Sequence, residues 1–408
     1  MMFHGPAFRG VVSMDRWGED GAEATLEVLG AEGLFRSTAA PALATDPVLM
    51  DQPGQVVGFW IAEHVETGAV VFPFHLEALH LYGPRPSAPE RLTCRARIAL
   101  VGDQQVRSDL DVVDEGGRLR ARMVGWWDRR FDLPKSFLRF LHAPREVVLS
   151  ETWTAPGGEG AAGLRAHRLA LEGFPPAFFT AHGGLWQKAL AHLILGPRER
   201  ELWRGLRTPE PRRLEWLLGR MVAKDALRAY LAERHGMRLA PADVEILPDE
   251  NGRPMPGGAW TRQVSRLPIL SLSHAGGVAV AVVGNGDSAT GVGIDLEHAG
   301  RLTDGAEDLA FTSAEQALLG AVADGRQESW PLRLWCAKEA VAKALGLGLV
   351  GGPRALVAER LDADSGAVHL RLSGEMSLRF PAVDGRPLLA HTARERDVIV
   401  ATSLYPRE

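Results

Sequence analysis

Polar and apolar positions divide the N-terminal third of the chain into one helix and several strands. Residues 47–66 are mainly apolar, with prolines and a glycine near their start, which predicts one buried helix. Polarity then alternates with a period of two, which predicts half-buried strands at residues 75–83, 91–101, 105–113 and 118–128. The Asp-Glu-Gly-Gly sequence at 114–117 predicts a hairpin turn between the last two. This third of the chain is therefore expected to be a long helix against an antiparallel sheet.

The C-terminal half has helical and strand patterns of its own. From position 185 onward, one helix face is apolar and carries Trp186, Leu190, Leu193 and Ile194. Residues 291–297, Gly-Val-Gly-Ile-Asp-Leu-Glu, alternate as a strand does, and residues 335–346 are typical of a helix that ends at Gly346. Further strand-like segments that complete this half are residues 353–360, 366–382 and 396–404.

The strand at 291–297 and the helix at 335–346 both carry carboxylates. The strand pattern places Asp295 and Glu297 on one face, opposite the apolar side chains. In the helix, Glu339 and Lys343 are four residues apart and share a face. Three such carboxylates could make an oxygen-rich site for Mg²⁺. A surface strand and a solvated helix with an ion pair explain each motif equally well when it is taken alone.

Basic residues precede these acidic motifs. Arg220, Lys224 and Arg228 are spaced by four and form one stripe on a predicted helix, although interleaved glutamates indicate a partly solvated face. Arg253 stands in a Gly-Arg-Pro turn, where it could contact a ligand or face water. Ser273 and His274 end a predicted strand before a Gly-Gly turn, and a lone histidine is more often structural than functional.

Five segments together resemble the two-lobed 4'-phosphopantetheinyl transferases that serve polyketide, nonribosomal-peptide and fatty-acid synthases. That family has, in order, a basic helix with Gly-Arg, a Gly-Lys/Arg-Pro turn, a Ser-His strand, Gly-Ile-Asp-x-Glu, and Trp-x-x-Lys-Glu-Ala/Ser-x-x-Lys. The corresponding segments here are residues 212–228, 251–254, 270–283, 291–297 and 335–346. One departure is Ala275, where the family often has a second serine. The resemblance covers residues 186–408.

The resemblance implies an enzyme that moves phosphopantetheine from coenzyme A to a serine of an apo acyl carrier protein domain, with Mg²⁺, releasing 3',5'-ADP. It implies that Asp295, Glu297 and Glu339 hold the metal. Glu339 is the first candidate for the general base and Glu297 the second, and Lys343 and Lys338 would stabilise the leaving group. The expected coenzyme A contacts are Arg220, Lys224, Arg253, Ser273, His274, Lys338 and Lys343.

The N-terminal residues resemble the dehydratase domain of polyketide and related synthases, which has two hot-dog halves. His4 to Phe8 match the His-Gly-Pro-x-Phe motif at the entry to its second half, and Asp51 and Gln55 match Asp-x-x-x-Gln/His on that half's helix. The family's catalytic histidine belongs to a first-half motif that this sequence lacks, and His4 is not given that role. The resemblance thus predicts a hot-dog half that is inactive alone. Asp51 could equally cap its helix.

The expected chain is α+β and has four parts. They are a dehydratase-like hot-dog half at 1–145, a linker at 146–185, and the two lobes of a pseudo-twofold transferase at 186–290 and 291–408. Three functions stay open: the transferase, a hydroxyacyl dehydratase completed by a partner chain, and a non-catalytic module that docks a carrier protein. The domain order also resembles the end of an enediyne or polyunsaturated-fatty-acid synthase. No internal sequence repeat is visible.

The composition of the chain indicates its protein class and its cellular compartment. With 408 residues, 46% of them hydrophobic and 24% charged, the chain has the composition of a soluble protein of two or three domains. A net charge of −5 argues against a general nucleic-acid binder, and no apolar run is long enough for a membrane span. Cys94 and Cys336 lack disulfide-like spacing, which favours a reducing, cytoplasmic setting. Because hot-dog halves usually pair, a dimer through residues 1–145 is also expected.

Overall fold

The structure divides the chain into two compact units, Met1–His142 and Ala143–Glu408. It is a computed structural model. The residues that it describes are 4–30, 34–38, 41–65, 68–157, 161, 163–299, 309–322, 329–381, 383 and 385–407.

The first unit is a six-stranded antiparallel sheet with a long helix against it. The strands, in sheet order, are β1 (Val11–Gly18), β2 (Gly21–Glu27), β4 (Arg91–Val101), β5 (Gln105–Val113), β6 (Leu119–Leu133) and β3 (Gly68–Leu81). Helix α1 (Pro47–His64) buries Val56, Val57 and Ile61 in a core that it shares with the sheet, and α2 (Lys135–His142) ends the unit. The predicted helix, strands and hairpin are confirmed, and the arrangement is a hot-dog fold.

The N-terminus of α1 is capped by Asp46, not by Asp51. The Asp46 carboxylate accepts hydrogen bonds from the backbone N–H groups of Val48 and Leu49, each at 3.0 Å. These bonds satisfy donors that a helix N-terminus leaves unpaired. The capping alternative for Asp51 is therefore wrong, because Asp51 lies inside the helix.

Within the described residues, the second unit begins with a lobe that combines helices with a four-stranded sheet. The helices are α3 (Ala181–Ile194), α4 (Pro197–Gly205) and α5 (Glu210–His235). The sheet strands, in order, are β11 (Ile269–Ala275), β12 (Val278–Gly284), β8 (Arg165–Ala170) and β7 (Glu151–Trp153), and β9 (Glu245–Pro248) pairs with β10 (Pro254–Gly257). Helix α5 packs across β8, β11 and β12. The prediction of a linker at 146–185 is wrong where β7 and β8 pair within this sheet.

The second lobe has the same plan, with a long helix on an antiparallel sheet. Its strands, in sheet order, are β13 (Ala289–His298), β17 (Val398–Pro406), β16 (Leu388–Glu395), β15 (Ala367–Leu372) and β14 (Leu356–Leu361). Its helices are α6 (Ser313–Val322), α7 (Trp330–Leu345) and α8 (Glu375–Arg379). Helix α7 packs across β13, β17 and β16. The two lobes share a core to which β12 contributes Val280 and Val282, and β13 contributes Val292, Ile294 and Leu296.

A buried ion pair holds the helices of the first lobe together. The Lys224 ammonium on α5 pairs with the Glu199 carboxylate on α4, and both side chains are 0% exposed. Lys224 also donates to the carbonyls of Ile194 and Pro241, and Glu199 accepts a hydrogen bond from the N–H of Ile246. Every partner lies within this lobe.

An equivalent pair holds the helices of the second lobe. Lys338 on α7 lies 2.8 Å from Glu315 on α6, and both side chains are again 0% exposed. Lys338 donates to the carbonyls of Ala310 and Pro353, and Glu315 accepts a hydrogen bond from the N–H of Ala358. This network repeats that of the first lobe, in which Lys224 has one further acceptor, the carbonyl of Val244.

The offsets between these partners reveal an internal repeat. In both lobes, the lysine donates a hydrogen bond to the carbonyl of a residue five positions before the glutamate. This residue is Ile194 in the first lobe and Ala310 in the second. The glutamate also accepts a hydrogen bond from a strand N–H, that of Ile246 or Ala358. In each lobe this residue lies five positions after the proline whose carbonyl accepts from the lysine. The two lobes are thus versions of one structural unit, although the repeat was not visible in the sequence.

None of the helices in the described ranges is both long and apolar enough to cross a membrane.

Candidate functional site

Two glycines bring strand β13 into direct contact with helix α7. A Cβ atom at Gly291 would lie 1.8 Å from the carbonyl oxygen of Ala344, and one at Gly293 would lie 1.8 Å from that of Ala340. No other residue type has room at these positions. The close packing sets the carboxylates at the end of β13 beside the polar face of α7.

Asp295 is the centre of this contact. Its Oδ1 lies 2.7 Å from the Lys343 ammonium and accepts a 3.0 Å hydrogen bond from the Ser273 hydroxyl. Its Oδ2 is buried and has no hydrogen-bond partner. A buried, unpartnered carboxylate oxygen is costly unless a ligand completes it. Asp295 therefore presents one committed oxygen and one available oxygen.

The carboxylates around Asp295 are electrostatically coupled. Burial, together with the charges of Asp295 and Glu297, raises the pKa of Glu339. Burial lowers the pKa of Lys343, but the charge and hydrogen bond of Asp295 together with the charge of Glu339 act against burial, and the pKa is raised. Three carboxylates against one lysine leave a local excess of negative charge that a cation would neutralise.

These donors suit Mg²⁺, although they do not already enclose a site. Among the described residues, no group of three or more histidine, cysteine or acidic side chains is already arranged so that it could hold a metal ion. The available Oδ2 of Asp295 and the charge excess of the cluster fit a hard divalent cation, which binds to carboxylates and keeps several water ligands. Asp295, Glu297 and Glu339 are the residues that could hold it.

The equivalent position of the first lobe is closed. Asp225 follows the buried lysine of its lobe, as Glu339 does in the second lobe. Its carboxylate accepts hydrogen bonds from the N–H groups of Leu149 and Ser150 and pairs with Arg228 at 3.0 Å. Because these partners occupy the Asp225 carboxylate, this position of the first lobe is not an open carboxylate site.

Cationic side chains gather beside the open site. Helix α5 packs against β11 so closely that a Cβ at Gly219 would lie 3.0 Å from the His274 ring. Burial lowers the pKa of His274; Glu215, 3.8 Å away, opposes this effect, whereas the charges of Lys343 and Arg220 reinforce it. A neighbourhood with this much positive charge favours an anionic ligand.

Arg220 is the cation best prepared for such a ligand. Its guanidinium lies 4.5 Å from the Trp216 ring centroid, and burial lowers its pKa. In the part of the chain that the structure describes, Arg220 makes no ion pair, and its buried Nε has no hydrogen-bond partner. An arginine with a buried Nε and no ion pair is unusual, and its forked donors match the geometry of phosphate.

Comparison with known proteins decides the family of this region. Residues 291–391 match the profile of the 4'-phosphopantetheinyl transferase superfamily. A holo-[acyl-carrier-protein] synthase from Shewanella amazonensis is 32% identical over 124 residues, which cover 29% of this chain and 98% of that protein. The chain belongs to the 4'-phosphopantetheinyl transferase superfamily. A holo-[acyl-carrier-protein] synthase from Geobacillus kaustophilus is 38% identical over 90 residues, 22% of this chain, and this chain spans only 66% of its length.

The first unit has a different relationship. Residues 1–131 match the profile of the polyketide synthase dehydratase N-terminal domain. The dehydratase domain of RzxB from Pseudomonas fluorescens is 23% identical, with a TM-score of 0.25, and the match covers 31% of this chain and 42% of that domain. The chain thus joins a dehydratase-like region to a phosphopantetheinyl transferase region. The profile's name refers to an N-terminal domain, so the assignment of residues 1–145 to the second hot-dog half stays a prediction from the motifs.

Arg253 lies at the edge of the candidate site. Its guanidinium donates a 3.3 Å hydrogen bond to the carbonyl of Thr290 at the start of β13 and packs beside Gly346, which ends α7. The Gly-Arg-Pro turn, the Gly-Ile-Asp strand and the Lys-Glu helix of the transferase family therefore meet in this structure.

Two of the predicted coenzyme A contacts are not supported. Lys224 and Lys338 are both fully buried, and each is committed to a glutamate and to backbone carbonyls. Burial, which the Glu199 charge only partly offsets, lowers the pKa of Lys224 to about 8. Their ammonium groups cannot reach a ligand in solvent. They stabilise the two lobes, and Lys338 has no part in neutralising a leaving group.

The structure also adds residues that the sequence did not reveal. Cys336 is 0% exposed and lies against the carboxylates, and burial together with the Asp295 charge raises its pKa well above the ordinary value. In the first unit, Asp51 Oδ2 accepts a 2.7 Å hydrogen bond from Gln55 and lies 3.1 Å from His4 Nε2. The two dehydratase-like motifs therefore meet at Asp51, and His4 takes part in a contact that was not predicted for it.

Proposed function

We propose that the second unit transfers 4'-phosphopantetheine from coenzyme A to a serine hydroxyl of an apo acyl carrier protein domain, with release of 3',5'-ADP and with Mg²⁺ bound. The observation that carries this proposal is the available Oδ2 of Asp295 within a carboxylate cluster, beside the unpaired cation Arg220. A metal-holding cluster next to phosphate-binding donors suits phosphoryl-type transfer, in which positioning and charge neutralisation supply most of the catalysis.

Each side chain has a role in this proposal. Asp295, Glu297 and Glu339 hold the cation, which supplies neutralisation of pyrophosphate charge. Arg220, Arg253 and His274 bind coenzyme A phosphates. The resemblance implies the same role for Ser273 and Lys343, but both side chains are hydrogen-bonded to Asp295 in the structure. The other two predicted contacts, Lys224 and Lys338, are withdrawn because both are buried.

The attacking serine needs a base, because a neutral hydroxyl is a poor nucleophile. Glu339 is the first choice, because its pKa is raised towards neutral pH. A general base works best when its pKa lies near the working pH. Glu297 is the second choice. The serine proton passes to the carboxylate as its oxygen bonds to phosphorus, while the bond from phosphorus to the 3',5'-ADP oxygen breaks.

Release of 3',5'-ADP tests the proposal. The full chain is incubated with coenzyme A and Mg²⁺, with and without an apo acyl carrier protein, and the nucleotides are separated by chromatography. We expect 3',5'-ADP only when the apo carrier is present. Release without a carrier would instead indicate a coenzyme A hydrolase.

Arg220→Met is expected to weaken coenzyme A binding by about 10- to 100-fold, because one or two charge-assisted hydrogen bonds to phosphate are lost. Calorimetry with coenzyme A in EDTA measures this change without the metal. Arg234→Met, on the same helix but in its last turn, is the matched control and should bind as the wild type does. Equal affinity in Arg220→Met would remove Arg220 from the coenzyme site.

For the first unit we propose a dehydratase-like role that needs a second component. Asp51 is held by Gln55 and His4, as a positioned acid would be. General acid–base elimination also needs a separate base within reach of the same substrate. A partner chain could supply that base, or the unit could dock a carrier domain without catalysis. Formation of an enoyl thioester from a hydroxyacyl carrier by this chain alone would contradict both alternatives.

A further inference from the structure

Ser273 has no hydrogen-bonding capacity left for a coenzyme phosphate. Its hydroxyl donates its single proton to Asp295 Oδ1 at 3.0 Å and accepts a hydrogen bond from the Lys343 ammonium at 3.3 Å. Ser273 is 8% exposed. A serine hydroxyl carries one donor, and here the carboxylate uses it.

The hydrogen-bond donors of Lys343 are also used by partners around Asp295. Its ammonium contacts Asp295 Oδ1 at 2.7 Å, the carbonyl of Ile294 at 3.0 Å and Ser273 Oγ at 3.3 Å. An ammonium group has three hydrogens, and these three acceptors use all of them. Ser273 and Lys343 therefore converge on one oxygen of Asp295, which leaves Oδ2 as the unpartnered oxygen.

We propose that Ser273 is a positioning residue for the metal-binding carboxylate and not a coenzyme A ligand. By holding Oδ1 together with Lys343, it fixes the rotation of the Asp295 carboxylate and directs Oδ2 towards the cation. This inference rests on the proposed metal-dependent transferase. Outer partners of metal ligands act in this way elsewhere, and their loss typically reduces metal affinity by about 10- to 100-fold.

The fold explains why this serine comes from the other lobe. Strand β11 lies at the edge of the first lobe's sheet, and β13 lies at the edge of the second lobe's sheet. Two serines of β11 join these edges. Ser271 Oγ accepts a 3.1 Å hydrogen bond from the N–H of Ile294, and Ser273 reaches the next side chain, Asp295. The lobe contact and the orientation of the metal ligand are thus parts of one feature.

Ser271 provides a matched control for Ser273. Both are buried serines of β11, and both contact β13, but Ser271 contacts only its backbone. A general loosening of the lobe contact would affect both variants, whereas loss of carboxylate orientation would affect only Ser273→Ala. Ser273→Thr, which keeps the hydroxyl, should restore the property that Ser273→Ala loses.

The experiment measures Mn²⁺ affinity and coenzyme A affinity separately on the full chain. Mn²⁺ binding is followed by electron paramagnetic resonance without coenzyme A, and coenzyme A binding is followed by calorimetry in EDTA. We expect Ser273→Ala to bind Mn²⁺ about 10-fold or more weakly than wild type, with unchanged coenzyme A affinity. Ser271→Ala and Ser273→Thr should bind Mn²⁺ within about threefold of wild type, a smaller change than the loss of an outer partner causes.

Two outcomes would overturn the inference, and they are distinguishable. Weaker coenzyme A binding with unchanged Mn²⁺ affinity in Ser273→Ala would make Ser273 a coenzyme ligand and leave the proposed transferase intact. Absence of Mn²⁺ binding by the wild-type chain would overturn the metal assignment of the proposed function together with this inference.

Discussion

Asp295→Ala is expected to reduce phosphopantetheine transfer by at least about 100-fold and to leave the second unit folded. Loss of an outer partner of a metal ligand already costs about 10- to 100-fold, and loss of the ligand itself should cost more. The variant removes the only oxygen of the carboxylate cluster that is both buried and unpartnered within the described residues. Initial rates of carrier modification at saturating Mg²⁺ measure the change.

The fold should tolerate this substitution because the charged partner of Asp295 can be solvated. Lys343 is 28% exposed, so water can reach its ammonium when the carboxylate is absent. Asp287→Ala is a suitable control, since Asp287 is an exposed acidic residue in the loop before β13. Normal turnover in Asp295→Ala would contradict the metal assignment. A loss of activity together with a loss of folded structure would show that Asp295 has a structural role.

Lys338→Met is expected to lower the free energy of unfolding of the second unit by about 3–5 kcal/mol, because Glu315 would remain as an uncompensated buried charge. Both partners are 0% exposed, so water cannot replace the lost ammonium. Urea unfolding of the full chain, followed through the transition of the second unit, measures the change. Coenzyme A affinity under native conditions should stay the same.

The internal repeat supplies the controls for this prediction. Lys224→Met breaks the equivalent pair in the first lobe and should destabilise the unit to a similar degree. Lys338→Met combined with Glu315→Gln removes both charges and should recover most of the loss, since a neutral pair avoids the penalty of a lone buried ion. A Lys338→Met variant of normal stability with weak coenzyme A binding would contradict the structural role and restore the ligand assignment.

Local patterns in the sequence predicted the elements that carry the chemistry. The alternation at 291–297 predicted β13 with its apolar residues in the core, and the strands predicted at 91–101 and 105–113 have the observed bounds of β4 and β5. These segments are half-buried, so the period of their side chains records the fold directly. Strand β16 was missed, and α8 lies in a segment predicted as strand-like, because short elements carry little periodic signal.

Residues whose roles depend on distant partners could not be predicted in the same way. Lys224 and Lys338 seemed to be ligand-binding lysines, yet their partners Glu199 and Glu315 lie on other helices. A lysine in a helical stripe gives no sign of whether its end meets water or a buried carboxylate. Ser273 shows the same limit, because its neighbour in the motif suggested a phosphate contact whereas its partner is on a different strand.

The most direct test of the transferase is the intact mass of an apo acyl carrier protein after incubation with this chain, coenzyme A and Mg²⁺. We expect a mass gain of one phosphopantetheine group, abolished by EDTA and restored by excess Mg²⁺. A gain that persists in EDTA would contradict the role of the Asp295 cluster as a metal site. No gain on any of several carrier proteins, by a chain that binds coenzyme A, would contradict the transfer itself.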